Sequence, residues 1–347
     1  MNAAELIRFF EARKVCGEPL VLATVFETEG STYSKAGAQM LIDGDAVFHG
    51  MLSGGCLEGD LAIRAATVME TGASQVVAYD LAEDDELWGL GVGCDGLMRV
   101  FLQPISAECG YQPFAAIADL LQGDRPARLA IVIESDAEDM PPGATVIRVE
   151  DEVRINGMNS DTATRLLAQE PDAAPAIASV VSDAGSATVL FTDVRPPPRL
   201  LLLGAGMDAE PVVRFASDLG WRCTVVDHRD AYVERGEFVG AEKVLCLPAD
   251  GLAVELDLSK FDAAVVMSHH LASDRAYLRQ LAATGIDYVG LLGPANRRER
   301  LLSDLGDDGA GLAERLHGPA GLDIGGRGPA AIALSIIAEV QSVLQRA

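Results

Sequence analysis

The sequence predicts an α/β protein in two parts: an N-terminal α+β region with an internal duplicated unit, and a C-terminal Rossmann-like, doubly wound parallel sheet. Three observations predict it. Arg195-Pro196-Pro197-Pro198-Arg199 divides the chain, because consecutive prolines continue neither a helix nor an interior strand. Upstream, "PLVLATVFETEG…GAQMLIDGDAVFHG" from Pro19 resembles "PARLAIVIESDA…GATVIRVEDEVRING" from Pro126. Downstream, "RLLLLGAGMDAEPVVRFASDLGWRCTVVDHRD" reads as strand, glycine turn, helix and strand. The expected domains are 1–194 and 199–347, with repeat units at about 4–105 and 112–194.

Each upstream copy opens with an amphipathic helical stretch, Ala4–Val15 in the first and Phe114–Leu121 in the second. Each then shows period-2 apolar alternation in its second half, the pattern of a half-buried strand. The copies diverge after Gly50 and Gly157. The first runs into Met51-Leu52-Ser53-Gly54-Gly55-Cys56-Leu57-Glu58, the second into "MNSDTATRLL". A unit that closes once without the glycine-cysteine cluster does not need it for closure, which favours a functional reading.

Beyond the prolines, apolar strands at Lys243–Leu247, Ala263–Ser268 and Tyr288–Leu292 alternate with helical segments such as Ser273–Thr284. That alternation means a parallel sheet with helices on both faces. Pro329 opens a closing helix whose apolar stripe is Ile332, Ile336, Ile337 and Val340.

Composition narrows the function. A net charge of −25 repels nucleic acid and anionic lipid. The longest apolar runs fall far short of the ~20 residues that span a bilayer. No basic segment followed by an apolar core and a cleavage site opens the chain, so a cytoplasmic location is expected. The 6 cysteines form no CxxC pair, which leaves reduced thiols rather than a zinc ribbon or a disulfide scaffold.

Several residues are candidates for chemistry. Gly204-Ala205-Gly206-Met207-Asp208-Ala209 fits the GxGxxG/A turn, in which Gly204 makes the bend and Gly206 lets a phosphate reach the backbone. Asp227, at the end of the next strand, stands where a ribose hydroxyl is held. Ser268-His269-His270 and the run Gly290 to Gly293 end two further strands, on the side where open parallel sheets bind ligands. The histidines there are either ligand contacts or structural, and Arg297 and Arg298 either bind phosphate or face solvent with Glu299. In the N-terminal region three glycine-rich segments, Gly30–Gly37 with Ser31 and Lys35, Gly54-Gly55-Cys56, and Gly89–Gly96 with Gly93 and Cys94, offer backbone amides to an anionic or planar ligand. Cys56 is either an activated thiol or a small core hydrophobe. Glu58 either joins it at a site or accepts backbone amides of the turn.

The ordered set GSTY…GAQMLI, LSGGCLEG, WGLGVGCDG, PPPRLLLLGAG, SHHLASD, YVGLLGP and LSIIAE resembles the XdhC/CoxI family of molybdenum-enzyme accessory proteins, from about Pro19 to Val343. The resemblance implies an N-terminal XdhC/CoxI domain and a C-terminal Rossmann domain. It implies binding of molybdenum cofactor (molybdopterin), sulfuration of that cofactor with a cysteine desulfurase, and delivery to a hydroxylase apoenzyme of the xanthine or CO dehydrogenase type. On that reading the protein is a maturation chaperone rather than a turnover enzyme. Cofactor contacts fall to Ser31, Lys35, Gly54, Gly55, Gly93, Cys94 and the Rossmann positions above, and Cys56 is the thiol that approaches molybdenum. The sequence departs from the family pattern at Ser34, where a basic residue is usual, at Met207, commonly His, and at Gly328-Pro329-Ala330-Ala331, commonly TPEE.

The residues leave three other readings open. One is an NAD(P)-dependent oxidoreductase using Gly204, Gly206 and Asp227 with His269 or His270 as proton donor. Another is a cysteine hydrolase pairing Cys56 with His49 or His269. The third is a regulatory module without cofactor handling. A homodimer and a nucleotide in the Rossmann domain are also expected, the dimer from the apolar faces of the closing helix and the repeat.

Overall fold

The computed structural model describes residues 3–80 and 96–345. The chain separates into two compact units, Met1–Pro196 and Pro197–Ala347.

In the first unit, helix α1 (Ala3–Cys16) leads into β1 (Leu20–Gly30), β2 (Gln39–Asp43) and β3 (Phe48–His49), then helix α2 (Glu58–Thr71), β4 (Gln75–Asp80) and β5 (Gly96–Ile105). The series then repeats: α3 (Phe114–Gln122), β6 (Ala127–Ser135), β7 (Thr145–Val149), β8 (Glu152–Asn156), α4 (Ser160–Leu167), β9 (Ala176–Ser182) and β10 (Gly185–Val194). The two antiparallel sheets have matching orders, β3-β2-β1-β5-β4 and β8-β7-β6-β10-β9. The likeness extends to defects in the ladder. In β1 the register slips between Val25 and Glu27, and at the corresponding place in the second sheet Glu134 and Val132 pair with neighbouring residues of β10, leaving Ile133 bulged.

Each loop before β2 or β7 closes the same way: Gly37 N donates to Val25 O (2.8 Å), and Gly143 N to Val132 O (2.8 Å). The copies also contact each other reciprocally. A Cβ on Gly37 would meet Thr192 of β10, and one on Gly143 would meet Gln103 of β5. Gln103 Nε2 donates to Gly143 O at 2.9 Å. The paired registers Leu41 with His49 and Ile147 with Arg154 make Gly50 correspond to Ile155, not to Gly157 as the sequence likeness suggests. Strand β8 is longer than β3, and this shifts the match.

One shared core takes Phe9 and Phe10 of α1, Phe114 and Ile117 of α3, and inward residues of both sheets such as Leu22, Phe101, Leu129 and Leu190. The Phe10 ring lies edge-on to Phe114, with centroids 4.9 Å apart. Burying such a ring removes enough apolar surface to contribute roughly 2–3 kcal/mol. The opposite face of the first sheet is covered by α2 through Leu61, Ala65 and Val68, and that of the second by α4 through Ala163 and Leu166.

The second unit contains β11 (Arg199–Leu203), α5 (Ala209–Asp218), β12 (Arg222–Asp227), α6 (Asp230–Arg235), β13 (Lys243–Cys246), α7 (Leu252–Glu255), β14 (Ala263–Val266), α8 (Leu271–Ala282), β15 (Tyr288–Leu291), α9 (Ala295–Leu305), β16 (Leu316–His317) and α10 (Pro329–Leu344). Every pairing in its sheet is parallel, in the order β13-β12-β11-β14-β15-β16. The strand order reverses beside β11, placing the topological switch between β11 and β14. Apolar residues of α5 and α10 bury one face of the sheet, and those of α8 and α9 the other. The strand β16 is too short to show in the sequence pattern. Helix α8 starts at Leu271 rather than Ser273 because His270 caps it, its ring accepting from Ser273 N.

Among the described residues, no helix is long and apolar enough to cross a membrane.

Candidate functional site

In the first unit, β3 ends at His49 and the chain crosses into α2 through Ser53-Gly54-Gly55-Cys56-Leu57. Gly54 and Gly55 have φ of 80° and 108°, in the left-handed region that side chains resist. Glu58, the first residue of α2, is 1% exposed and turns its carboxylate back into this crossing. Oε1 accepts from Leu52 N and Ser53 N, both at 2.8 Å, and Oε2 accepts from Ser53 Oγ and from Gly55 N at 3.0 Å. Ser53 Oγ in turn accepts from Leu57 N at 2.7 Å. Burial pushes the Glu58 carboxyl up, but the Ser53 hydroxyl and the Ser53 and Leu52 amides outweigh burial and hold it below the usual carboxylate range. All of its acceptor capacity goes to the turn, so of the two sequence readings of Glu58 the structure carries the second. Cys56 follows on the turn. It is half-buried, resting against the core under α2, with Gly54 and Gly55 exposed beside it.

Next to this turn lies a cleft of about 690 Å³, within the range of small-molecule sites. Its walls include Tyr33, Lys35, Phe48, His49 and Met51, with Glu5 from α1. Three apolar walls are open to solvent, Tyr33 at 63%, Phe48 at 39% and Met51 at 49%. Tyr33 joins cleft to turn, since its ring lies where a Cβ on Gly54 would sit 3.3 Å away. Ser34 Oγ donates to Met51 O at 3.2 Å, which fastens the loop to the exit of β3. Lys35 Nζ reaches Gly30 O and Thr32 Oγ1 only at 3.4 and 3.3 Å and stays exposed. Ser31 is exposed at the head of the same loop. Residues 89–95 of the third glycine-rich segment, Gly93 and Cys94 among them, lie outside the described residues.

In the second unit the switch point gathers Gly204, Gly206, Asp227, His269 and His270. Gly204, at φ 135°, brings its backbone so near β14 that a Cβ would be 2.5 Å from Met267 O. Asp227 is fully buried and already bound: Oδ2 accepts from Ala205 N at 2.8 Å and Arg229 Nη2 at 2.7 Å, and Oδ1 from Arg229 N and Nε, both at 2.9 Å. Burial raises this carboxyl, and the Arg229 guanidinium with the Ala205 amide more than reverses it. Arg229 also lies 3.8 Å over the Tyr232 ring. The position expected to hold a ribose is therefore filled by the chain's own guanidinium. Titration with NADH, read by its fluorescence, is expected to show no saturation below about 1 mM. Micromolar saturation would show that Arg229 yields to a nucleotide.

The neighbouring groups are also engaged. His269 Nε2 is 3.3 Å from Asp208 Oδ2, placing a carboxylate on the glycine turn where a pyrophosphate would approach. His270 caps α8 through Ser273. Gly290 lies inside β15, where a Cβ would meet Tyr288 and Ala320, so its smallness serves packing. Gly293 leaves room for Arg297, whose guanidinium binds the buried Asp274 at 3.1 and 2.6 Å. Arg298 donates to the carbonyls of Leu316 and Ala313. Neither arginine is a free phosphate ligand, nor does either simply face solvent.

Sequence reasoning did not single out Phe48, Met51, Glu5, Arg229 or Asp274. Arg229 had a readable signal, a cation two residues after the strand-end acid; the cleft walls had none, because they come from α1, a loop and β3.

Residues 16–80 match the model described as the XdhC and CoxI family, and residues 200–340 match the XdhC Rossmann domain. The chain is 32% identical over 340 residues to a probable xanthine dehydrogenase subunit of Bacillus subtilis (strain 168), covering 95% of this chain and 94% of that one. The chain belongs to the XdhC and CoxI family. A second relative, the molybdenum cofactor insertion chaperone PaoD of Escherichia coli (strain K12), is 22% identical over 97% of this chain and 87% of its own. The crystal structure of a xanthine dehydrogenase from Bacillus halodurans superposes with a TM-score of 0.82 at 28% identity, covering 100% of this chain and 96% of that chain. The family match at 16–80 contains the cleft loop, the glycine-cysteine turn and Glu58.

Proposed function

We propose that this XdhC/CoxI protein is an accessory factor of a molybdenum hydroxylase, carrying molybdenum cofactor as cargo and passing it to the apoenzyme. The observation that supports this most is the turn at Ser53–Leu57. A fully buried carboxylate is committed to holding two exposed glycines, both at positive φ, and one thiol in a fixed turn, an arrangement that the second repeat does without. A turn braced in this way in only one copy of a duplicated unit indicates use rather than architecture. Thiolate sulfur is a soft ligand suited to molybdenum, and Cys56 is the sulfur of this turn. The relative named as a molybdenum cofactor insertion chaperone is similar to this chain over nearly its whole length. In the finer reading, a cysteine desulfurase supplies sulfur to the carried cofactor, and the client is of the xanthine or CO dehydrogenase type.

The test is anaerobic purification from cells making the cofactor, followed by molybdenum analysis and pterin fluorescence. The wild-type chain is expected to retain both. Cys56→Ser is expected to lower activation of the partner apoenzyme about tenfold, the loss of ~1.4 kcal/mol of contact. Equal activation by the variant would remove Cys56 from the mechanism, and a wild-type protein free of molybdenum and pterin would sink the carrier reading itself.

A further inference from the structure

The cleft beside the turn has a chemical character that goes beyond a generic cargo site. Its walls present two exposed aromatic rings, Tyr33 and Phe48, a thioether at Met51, one carboxylate at Glu5 and one primary ammonium at Lys35. Exposed rings lining a concavity are costly in water and favour a flat heterocycle that stacks on them. Within that heterocycle class, a carboxylate selects an edge bearing adjacent N–H donors, as a 2-amino-4-oxopyrimidine does, since its two oxygens accept a pair of parallel hydrogen bonds. Lys35 is a point charge on a flexible stem, with only long contacts to Gly30 O and Thr32 Oγ1, and suits a phosphate monoester. Glu5 has a cationic neighbour in Arg8, 4.0 Å away and highly exposed, a contact too long and too wet to consume its carboxylate within the fold.

The wall at His49 is braced. His49 packs against Phe9 at 4.7 Å between ring centroids, Arg13 lies 4.7 Å over that ring, and Arg13 in turn binds the buried Asp43 at 2.8 Å. A cleft with one braced wall and an aromatic face is preorganised for a planar guest.

Resting on the carrier reading, we propose that this cleft is the pterin subsite. Tyr33 and Phe48 flank the bicyclic ring, Glu5 pairs with its 2-amino edge, and Lys35 takes the terminal phosphate. Tyr33, which also covers Gly54, then sets the cargo beside the turn that carries Cys56.

The test uses the full chain and molybdenum cofactor released anaerobically from a purified molybdenum hydroxylase, with retention after gel filtration read by molybdenum content and by pterin fluorescence. Tyr33→Leu and Phe48→Leu keep apolar bulk, including the cover over Gly54, and remove only the flat ring. Each is expected to weaken retention about tenfold, the scale of one stacked base. Glu5→Gln is expected to weaken retention of the cofactor and of a phosphate-free pterin alike. Lys35→Ala is expected to weaken the cofactor but leave the phosphate-free pterin unchanged. Unchanged thermal unfolding verifies the fold of each variant. If the wild-type chain retains cofactor and all four variants retain it equally, the cleft assignment is overturned while the carrier reading stands. If the wild-type chain retains none, both fall together.

Discussion

Glu58→Gln is expected to destabilise the first unit by about 2–4 kcal/mol, and to do so without removing any apolar contact. The native carboxylate is acceptor-only and takes four hydrogen bonds, from Leu52 N, Ser53 N, Ser53 Oγ and Gly55 N. A glutamine of the same shape keeps one acceptor oxygen, points an N–H donor at Gly55 N, and leaves the Ser53 hydroxyl without the acceptor it donates to. Charge-assisted bonds contribute roughly 1.5–3 kcal/mol each, and an unmatched buried donor costs about 1–3 kcal/mol, so even with relaxation the sum is large.

The same residue sets an acid limit. Its folded pKa lies below the unfolded value, so the stabilisation is present above the ordinary glutamate range and is lost as pH falls through the lowered folded value. Urea unfolding followed between pH 7 and pH 3 is expected to show this loss in the wild-type chain, and a smaller one in Glu58→Gln. A second consequence concerns the thiol. With the turn released, alkylation of Cys56 by iodoacetamide, resolved from the exposed Cys16, Cys109 and Cys246 by peptide mass spectrometry, is expected to change in rate. Wild-type stability and an unchanged Cys56 rate in the variant would show that the carboxylate does not govern the turn.

Asp227→Ala is expected to cost the second unit about 3 kcal/mol. Removing one member of a buried ion pair strands the other, and Arg229, though partly exposed, loses three bonds to this carboxylate, while Ala205 N loses its acceptor. Under the dinucleotide reading the same substitution would abolish NADH binding and leave stability nearly intact, since a ribose acid facing an open crevice is not needed by the fold. Thermal unfolding of the second unit alongside an NADH titration separates the two. A variant as stable as wild type would mean that the Asp227–Arg229 pair is incidental.

Much of the second unit was readable because its signals are local. The run from Leu200 through Gly204 and Gly206 to Asp227 contains strand, turn, helix and strand within one stretch, and the prolines at Pro196–Pro198 mark its start. The duplicated unit was readable because each copy repeats the same helix and the same period-2 pattern. The fate of Asp227 was not readable. A strand-end acid after a glycine turn has the same sequence signature whether it faces a ribose or a neighbouring guanidinium, and only the rotamer of Arg229 distinguishes them. Arg297 and Asp274 are likewise far apart in sequence and meet because β14 and β15 are adjacent.

At the candidate site the division follows the same line. Ser53-Gly54-Gly55-Cys56 stood out as residues not needed to close the unit, because the second repeat closes without them, and the sequence alone carried that argument. The backbone's left-handed φ values, the four bonds into Glu58 and the cleft walled by Glu5, Tyr33 and Phe48 required the folded chain. What the sequence determined by itself was the identity of local elements and the family to which they belong, since propensity, periodicity and motif spacing act over a few residues. Which polar groups are consumed by the fold and which remain for a ligand was decided only by tertiary structure, because satisfaction of a carboxylate or a guanidinium depends on partners that topology brings within about 3 Å.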